Sequence, residues 1–200
     1  MVLVTTACWF ENSTRQMLHK LDKQSVYLIF RGTQSKEGLI VKDFNIKDSK
    51  ATHVGILLYQ IPGWHVAHVM QTHSKNDFLF QPAEDFLAAE NKIKYVSLWK
   101  IAGFGKNEIA KLEKVFDSLK TEKIGFDLTF TGRLDSKKYC SEFVCEALQA
   151  AKEGCFHFPK YVKRLSPAES IFLKRDSLYY YPVDIFQTDR RFTKIYSELR

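Results

Sequence analysis

Two hundred residues with 45% apolar, 14% aromatic and 26% charged side chains make an ordinary globular composition, enough to bury one core without metals or disulfides. This excludes a disordered chain, a collagen-like chain and a disulfide-rich mini-protein, and no apolar run approaches the roughly 18 residues of a membrane-spanning helix. Thirty Lys and Arg against 23 Asp and Glu leave a charge of +7, which suits an anionic partner. The bases are dispersed, however, and the densest group (Lys160, Lys163, Arg164) is short. With no aromatic-basic motif beside it, nucleic acid is not an expected partner.

The first eight residues, MVLVTTAC, place small residues before Cys8, like the end of a bacterial lipoprotein signal. They lack a basic n-region, and their apolar stretch is shorter than the roughly 7–15 residues of an h-region. Two readings stand for residues 1–24: a signal or lipoprotein remnant with Cys8 as a processed cysteine, or an ordinary first segment holding a helix. The first places the chain in the cell envelope, which is favoured slightly over the cytoplasm.

Residues 25–200 contain no repeat, low-complexity tract or Pro/Gly-rich linker and read as one domain. Residues 26–31 (VYLIFR), bounded by Gly32, predict a strand. Residues 32–51 are polar and poorly periodic, a long loop that covers something. Residues 52–59 (THVGILLY) and 64–70 (WHVAHVM) are strand-like and flank a Pro62-Gly63 turn signal, so they predict a hairpin. Residues 82–90 read as a short helix opened by proline, and residues 93–101 as a further strand. Ile109, Leu112, Phe116 and Leu119 recur at helical spacing. A second helix over residues 139–152 gathers Cys140, Phe143, Val144, Ala147, Leu148 and Ala151 on one face, with Asp135 and Ser136 as candidate caps. A last helical segment begins near residues 179–182. Helices beside an antiparallel sheet make an α+β fold.

The cysteines are Cys8, Cys140, Cys145 and Cys155, with no C-x-x-C pair, so neither a zinc ribbon nor a thioredoxin-type motif is present. His65-x-x-His68 would suit a metal on a helix, but its flanks read as strand; no metal and no cofactor are expected. Cys140 falls in the first turn of its helix, where the dipole and free N–H groups lower a thiol pKa. A buried core thiol is the competing reading. The hairpin bears on that choice. If Tyr59 pairs with Trp64, then Gly55 faces His68 and His53 faces Met70, which makes His53 and His68 diagonal neighbours on one face. Gly55 on that face leaves room for a helix to approach, and His65 falls on the other side. A thiol, a base and a polar orienter are the minimum equipment of a cysteine nucleophile. The alternative is that both histidines are satisfied core or surface groups. Cys145 and Cys155 read as structural thiols, Glu142 as a surface or capping carboxylate, and His73 as a substitute for His68 if the register slips.

The segments THVGI (residues 52–56) and YCSEFV (residues 139–144), some 85 residues apart, together resemble the circularly permuted papain-like amidases of the YaeF/YiiX type. These are relatives of the NlpC-type cell-wall peptidases and of lecithin-retinol acyltransferase. Further matches are Phe126-Asp127, Pro82 with Phe86-Leu87, and Tyr181-Pro182-Val183-Asp184, so the likeness spans roughly residues 25 to 190. It implies a permuted papain-like (NlpC-like) α+β domain with the antiparallel sheet packed against the cysteine-bearing helix. It also implies Cys140 as nucleophile, His53 as general base and His68 in the third polar position, where many relatives carry Glu. Tyr139 is then a candidate oxyanion donor through its hydroxyl, beside the N–H of Cys140.

The function expected is a cysteine hydrolase that cleaves an amide bond, in a peptide or cell-wall peptide, through an acyl-enzyme. Two alternatives stand beside it: a lipid thioesterase or acyltransferase using the same site, and a non-catalytic binding module that retains the fold. The partner expected is thus a small peptide, amino-acid-derived or lipid substrate, and the basic charge is compatible with association at a membrane surface.

Overall fold

The computed structural model describes residues 16–34, 41–72, 76–88, 93–130 and 136–199. Its centre is β1 (Tyr27–Thr33), in which every residue is buried. A strand covered on both faces has no reason to alternate, and that is why residues 26–30 form a continuous apolar run. β2 (His53–Gln60) and β3 (Gly63–Val69) form the expected hairpin, with Tyr59 opposite Trp64 and Ile56 opposite Ala67. β4 (Phe78–Pro82) follows, and Pro82 both ends this strand and caps α1 (Ala83–Leu87). The helix expected over residues 82–90 is therefore only five residues long, and its first residue belongs to a strand. β5 (Ile93–Ile101) pairs with β1 as a second neighbour.

α2 (Lys106–Glu122) buries Leu112, Phe116 and Leu119 at the expected spacing, and Glu108 accepts the N–H of Gly105 at its start. The two-residue strands β6 (Gly125–Phe126) and β7 (Lys137–Lys138) pair in parallel just before α3 (Cys140–Ala151). Tyr139 is the N-cap of α3 without a side-chain cap bond. Ser136 precedes β7 and so does not cap the helix, and Asp135 lies outside the described residues. The tail does not end in the helical segment expected from residues 179–182 onward. It contains instead the strands β8 (Tyr161–Arg164) and β9 (Ser177–Tyr180) with α4 (Pro167–Leu173) between them, one 3-10 turn (Ile185–Thr188) and β10 (Phe192–Leu199).

The main sheet runs β10-β5-β1-β2-β3-β4 with all neighbours antiparallel, so the molecule is α+β. Its two faces carry separate apolar clusters. One joins Val54, Ile56 and Leu58 of β2 to Leu112 and Phe116 of α2 and to Phe143, Val144 and Leu148 of α3. The other joins Tyr27, Ile29, Leu57 and Val66 to Phe86 and Leu87 of α1 and to Met17 and Leu18. Residues 1–15, including Cys8, lie outside the described residues.

The polar segment after β1 does cover something. The fully buried Asp184 carboxylate accepts the N–H groups of Ile46 (2.9 Å), Lys47 (2.7 Å) and Asp48 (2.8 Å), which fastens this loop to the chain between β9 and the 3-10 turn. Three converging N–H donors satisfy a buried carboxylate that would otherwise be costly to desolvate.

Candidate functional site

His53 opens β2 and His68 lies near the end of β3, and the hairpin register puts both on the sheet face that α1 covers. His53 Nε2 and His68 Nδ1 are 2.9 Å apart, the rings meet edge to face, and exposure is 8% and 0%. Phe86 of α1 packs against both rings, at centroid distances of 5.7 and 4.9 Å. Burial in this apolar setting holds both imidazoles well below their ordinary range, and the positive charge of Arg31 adds to it. Both rings are therefore neutral near pH 7. His68 Nε2 is buried with no hydrogen-bond partner.

Cys140 is the first residue of α3 and is 7% exposed. The main-chain N–H groups of Val54, Ser141 and Cys140 itself favour its thiolate, as does the charge of Arg31. The sulfur thus lies at the end of β2 where His53 meets Val54. Burial nevertheless pushes the thiol up to about 11. This corrects the expectation of a lowered pKa: the helix start acts in the expected direction, but desolvation of a sulfur in the apolar cluster outweighs it.

Gly55 also acts differently from expectation. α3 packs on the Val54/Ile56/Leu58 face, whereas Gly55 lies on the opposite face with the imidazoles. A Cβ there would stand 2.5 Å from Val66 Cγ1 and 3.2 Å from His68 Cβ. The glycine makes room for the neighbouring strand's side chains, not for the helix. Cysteine and histidines therefore belong to opposite faces of the sheet.

The hydroxyl of Tyr139 accepts the Tyr181 N–H at 2.9 Å, and its ring sits with Phe44, Leu165, Leu178 and Tyr180 rather than with Cys140 and the imidazoles. Ser141 Oγ donates to Tyr181 O at 2.6 Å, so the two bonds staple the start of α3 to the chain after β9. Glu142 is not a surface group: it is 3% exposed, its Oε2 has no partner, and burial with nearby Glu146 pushes it up to about 7. Cys145 is fully buried, and Cys155 is half-buried. His65 lies across β3 from His68 and stacks on Phe80, so the two do not form one ligand pair. His73 lies outside the described residues. Two surface clefts, of about 400 and 190 Å³, are lined by neither Cys140 nor the imidazoles.

One residue at this site was not singled out in the sequence. Arg31, the last residue of the VYLIFR run, stands directly opposite His53 in the β1–β2 ladder and is 4% exposed. Its terminal nitrogens donate to Phe86 O (2.5 Å) and Met70 Sδ (2.9 Å), and the guanidinium lies 4.4 Å above the Phe86 ring. The signal was a lone charge at the end of an apolar run. It becomes informative only once β1 is known to pair with the histidine strand.

Fold and candidate site together define an α+β protein in which an antiparallel sheet carries a buried His–His pair on one face and a helix that begins with a cysteine on the other. No protein-family model and no curated protein matches the chain. Among solved structures it is similar to the metalloprotein yiiX from Escherichia coli O157:H7, with a TM-score of 0.67 and 16% identity over 90% of this chain and 100% of that one. At this identity the likeness shows a shared yiiX-type fold.

Proposed function

We propose that this chain is a permuted papain-like cysteine hydrolase that cleaves an amide bond through an acyl-enzyme on Cys140. The observation that carries the reading is the buried 2.9 Å bond between His53 and His68, one residue from the Val54 N–H that faces the Cys140 sulfur. When His53 Nε2–H donates to His68 Nδ1, His53 Nδ1 is left to accept the Cys140 proton, and His68 fixes that tautomer. The thiolate attacks the carbonyl carbon, and the oxyanion is met by the Cys140 N–H at the start of α3. His53 returns the proton to the departing amine, and water then hydrolyses the thioester.

The same thiol acting on a fatty acyl group is a second reading, favoured by the apolar Phe86 and Met70 on the imidazole side. A metal-dependent role, suggested by the description of yiiX, does not suit these residues. Among the described residues no group of three or more His, Cys, Asp or Glu is placed to hold a metal ion, and the Arg31 charge beside the imidazoles opposes a dication there.

The test is a panel of peptide anilides and acyl nitrophenyl esters, read by turnover and by mass spectrometry of the Cys140 peptide. An adduct and turnover lost in Cys140→Ala support the hydrolase, and preference between the two substrate types decides peptide against lipid. No adduct and no turnover on either would leave the binding-module reading.

A further inference from the structure

The short ribbon of β8 and β9 has two unlike faces. On one, Tyr161 stands opposite Tyr180 and Lys163 opposite Leu178. This face is packed: Leu178 and Tyr180 are buried, the Tyr180 hydroxyl donates to Phe44 O at 2.8 Å, and Lys163 Nζ lies 3.9 Å from the Phe44 ring centre and 3.6 Å from Glu169. On the other face Val162 stands opposite Tyr179 and Arg164 opposite Ser177. Val162 is 60% and Tyr179 55% exposed, and exposed Arg164 belongs to none of the ion pairs among the described residues. α4 closes one end of the ribbon, where the Leu165 N–H donates to Asp176 O, and it carries Ile171 at 80% exposure, followed by exposed Lys174. At the other end Lys160 Nζ lies 5.3 Å from the Tyr181 ring centre. Of the eight large apolar side chains exposed among the described residues, four (Tyr161, Val162, Ile171, Tyr179) fall in this one unit. Single exposed apolar residues are ordinary, whereas a cluster marks an interaction surface. Residues 160–181 also hold five cationic side chains against Glu169 and Asp176, and Glu169 is engaged by Lys163 and the Ser166 N–H. A nucleic-acid backbone would answer the cations alone. Apolar side chains set among cations fit a surface that is anionic outside and apolar just beneath.

We propose that the outer face of the β8–β9 ribbon docks on an anionic lipid surface, with Val162 and Tyr179 at its centre, Arg164 beside them and Lys160 and Lys174 at its two ends. Val162 and the Tyr179 ring enter the boundary between headgroups and acyl chains, which suits an apolar ring with a polar tip, while the cations meet lipid phosphates. The ribbon is tied to the start of α3, because the Tyr139 hydroxyl accepts the Tyr181 N–H and Ser141 Oγ donates to Tyr181 O. Docking therefore fixes the start of α3 relative to the lipid surface. The proposal goes beyond the hydrolase reading and uses none of its catalytic residues.

The experiment is co-sedimentation of the full chain with vesicles of phosphatidylcholine alone and of phosphatidylcholine with about one third phosphatidylglycerol. Binding is expected to the anionic vesicles, weakening between about 0.05 and 0.5 M salt as the Debye length shrinks. Arg164→Gln should lower the partition coefficient about fivefold, the worth of one basic side chain at such a surface. Val162→Ser/Tyr179→Ser should lower it at least fourfold, roughly the worth of one methylene withdrawn from water. Ile61→Ser, which removes a 90% exposed side chain from the β2–β3 turn, should change nothing. On the unaltered protein, a spin-labelled lipid in the anionic vesicles should broaden the Val162 and Ile171 methyl resonances and spare those of Ile61. Equal binding to the two kinds of vesicle, binding to neither, a partition unmoved in the ribbon variants, or broadening at Ile61 in place of Val162 would overturn the proposal. So would a dimer in light scattering that Val162→Ser/Tyr179→Ser converts to monomer, since the occupant would then be a second copy. A duplex oligonucleotide bound in place of the vesicles would overturn it as well. Sedimentation needs no substrate, so a chain unable to hydrolyse amides would leave this test intact.

Discussion

Replacing Gly55 by alanine should destabilise the protein, and the size follows from what the new methyl group meets. It would lie 2.5 Å from Val66 Cγ1, 3.0 Å from the Ala67 carbonyl oxygen and 3.2 Å from His68 Cβ. Val66 and Ala67 are held by the β2–β3 ladder and His68 by its pairing with β4, so none can yield cheaply. Overpacking of this kind costs about 1–3 kcal/mol, against a gain of about 0.4–1 kcal/mol from a stiffer unfolded chain. The net loss is about 1–2 kcal/mol, or a fall in Tm of about 2–8 °C for a chain of this size. Gly63, at the start of β3, is the control: a Cβ there meets nothing within 4 Å, so Gly63→Ala should leave Tm unchanged or raise it slightly. Both variants are read by thermal denaturation followed by circular dichroism. Equal effects at the two glycines would refute the reasoning, because only their surroundings differ. A shifted His68 should also weaken the His53–His68 bond, so Gly55→Ala should lower turnover in whatever assay the substrate panel provides.

His53→Ala should reduce turnover by roughly 10²–10⁴, the usual worth of a general base, and His68→Ala by about tenfold less, measured as kcat/KM; the reverse order would exchange the two roles. Because both imidazoles have folded-state pKa values below their unfolded value of about 6.5, the unfolded chain binds more protons as pH falls through 6.5, and stability drops. Between pH 7 and 5 this amounts to up to about 2 kcal/mol per imidazole, so denaturant midpoints in a His53→Gln/His68→Gln double variant should fall less than in the parent. Glu142, raised to about 7, acts with the opposite sign but is common to both proteins and cancels in the comparison. Asp184→Ala should orphan the N–H groups of Ile46, Lys47 and Asp48 and cost about 3 kcal/mol or more, seen as a lower midpoint in urea; a loss under about 1 kcal/mol would mean the loop is held by something else.

Local pattern was enough for several elements of this chain. The β2–β3 hairpin followed from two apolar runs around a Pro62-Gly63 turn, and the Tyr59–Trp64 pairing taken there as a premise is the one the ladder has. α2 and α3 followed from spacings of three and four, since each needed only one apolar face to be recognised. The candidate residues Cys140, His53 and His68 followed from those two elements taken together. The short strands β6 to β9 were missed because two to four residues carry no period to read, and the eight-residue edge strand β10 because its apolar residues (Phe192, Ile195, Tyr196, Leu199) do not alternate.

Tertiary structure decided the rest, and in each case the reason is a contact between residues far apart in the chain. Which face α3 covers depends on what fills the other face, and α1 with Phe86 occupies the one that Gly55 was expected to open. The direction of the Cys140 shift depends on how deeply the helix start is buried, which no local spacing records. Arg31 stands opposite His53 only because β1 lies beside β2, a pairing across the stretch between Thr33 and His53 that includes the Asp184-held loop. Amphipathic spacing tells a segment which of its sides is buried. It does not say what buries it, and the electrostatics of a site are set by that second fact.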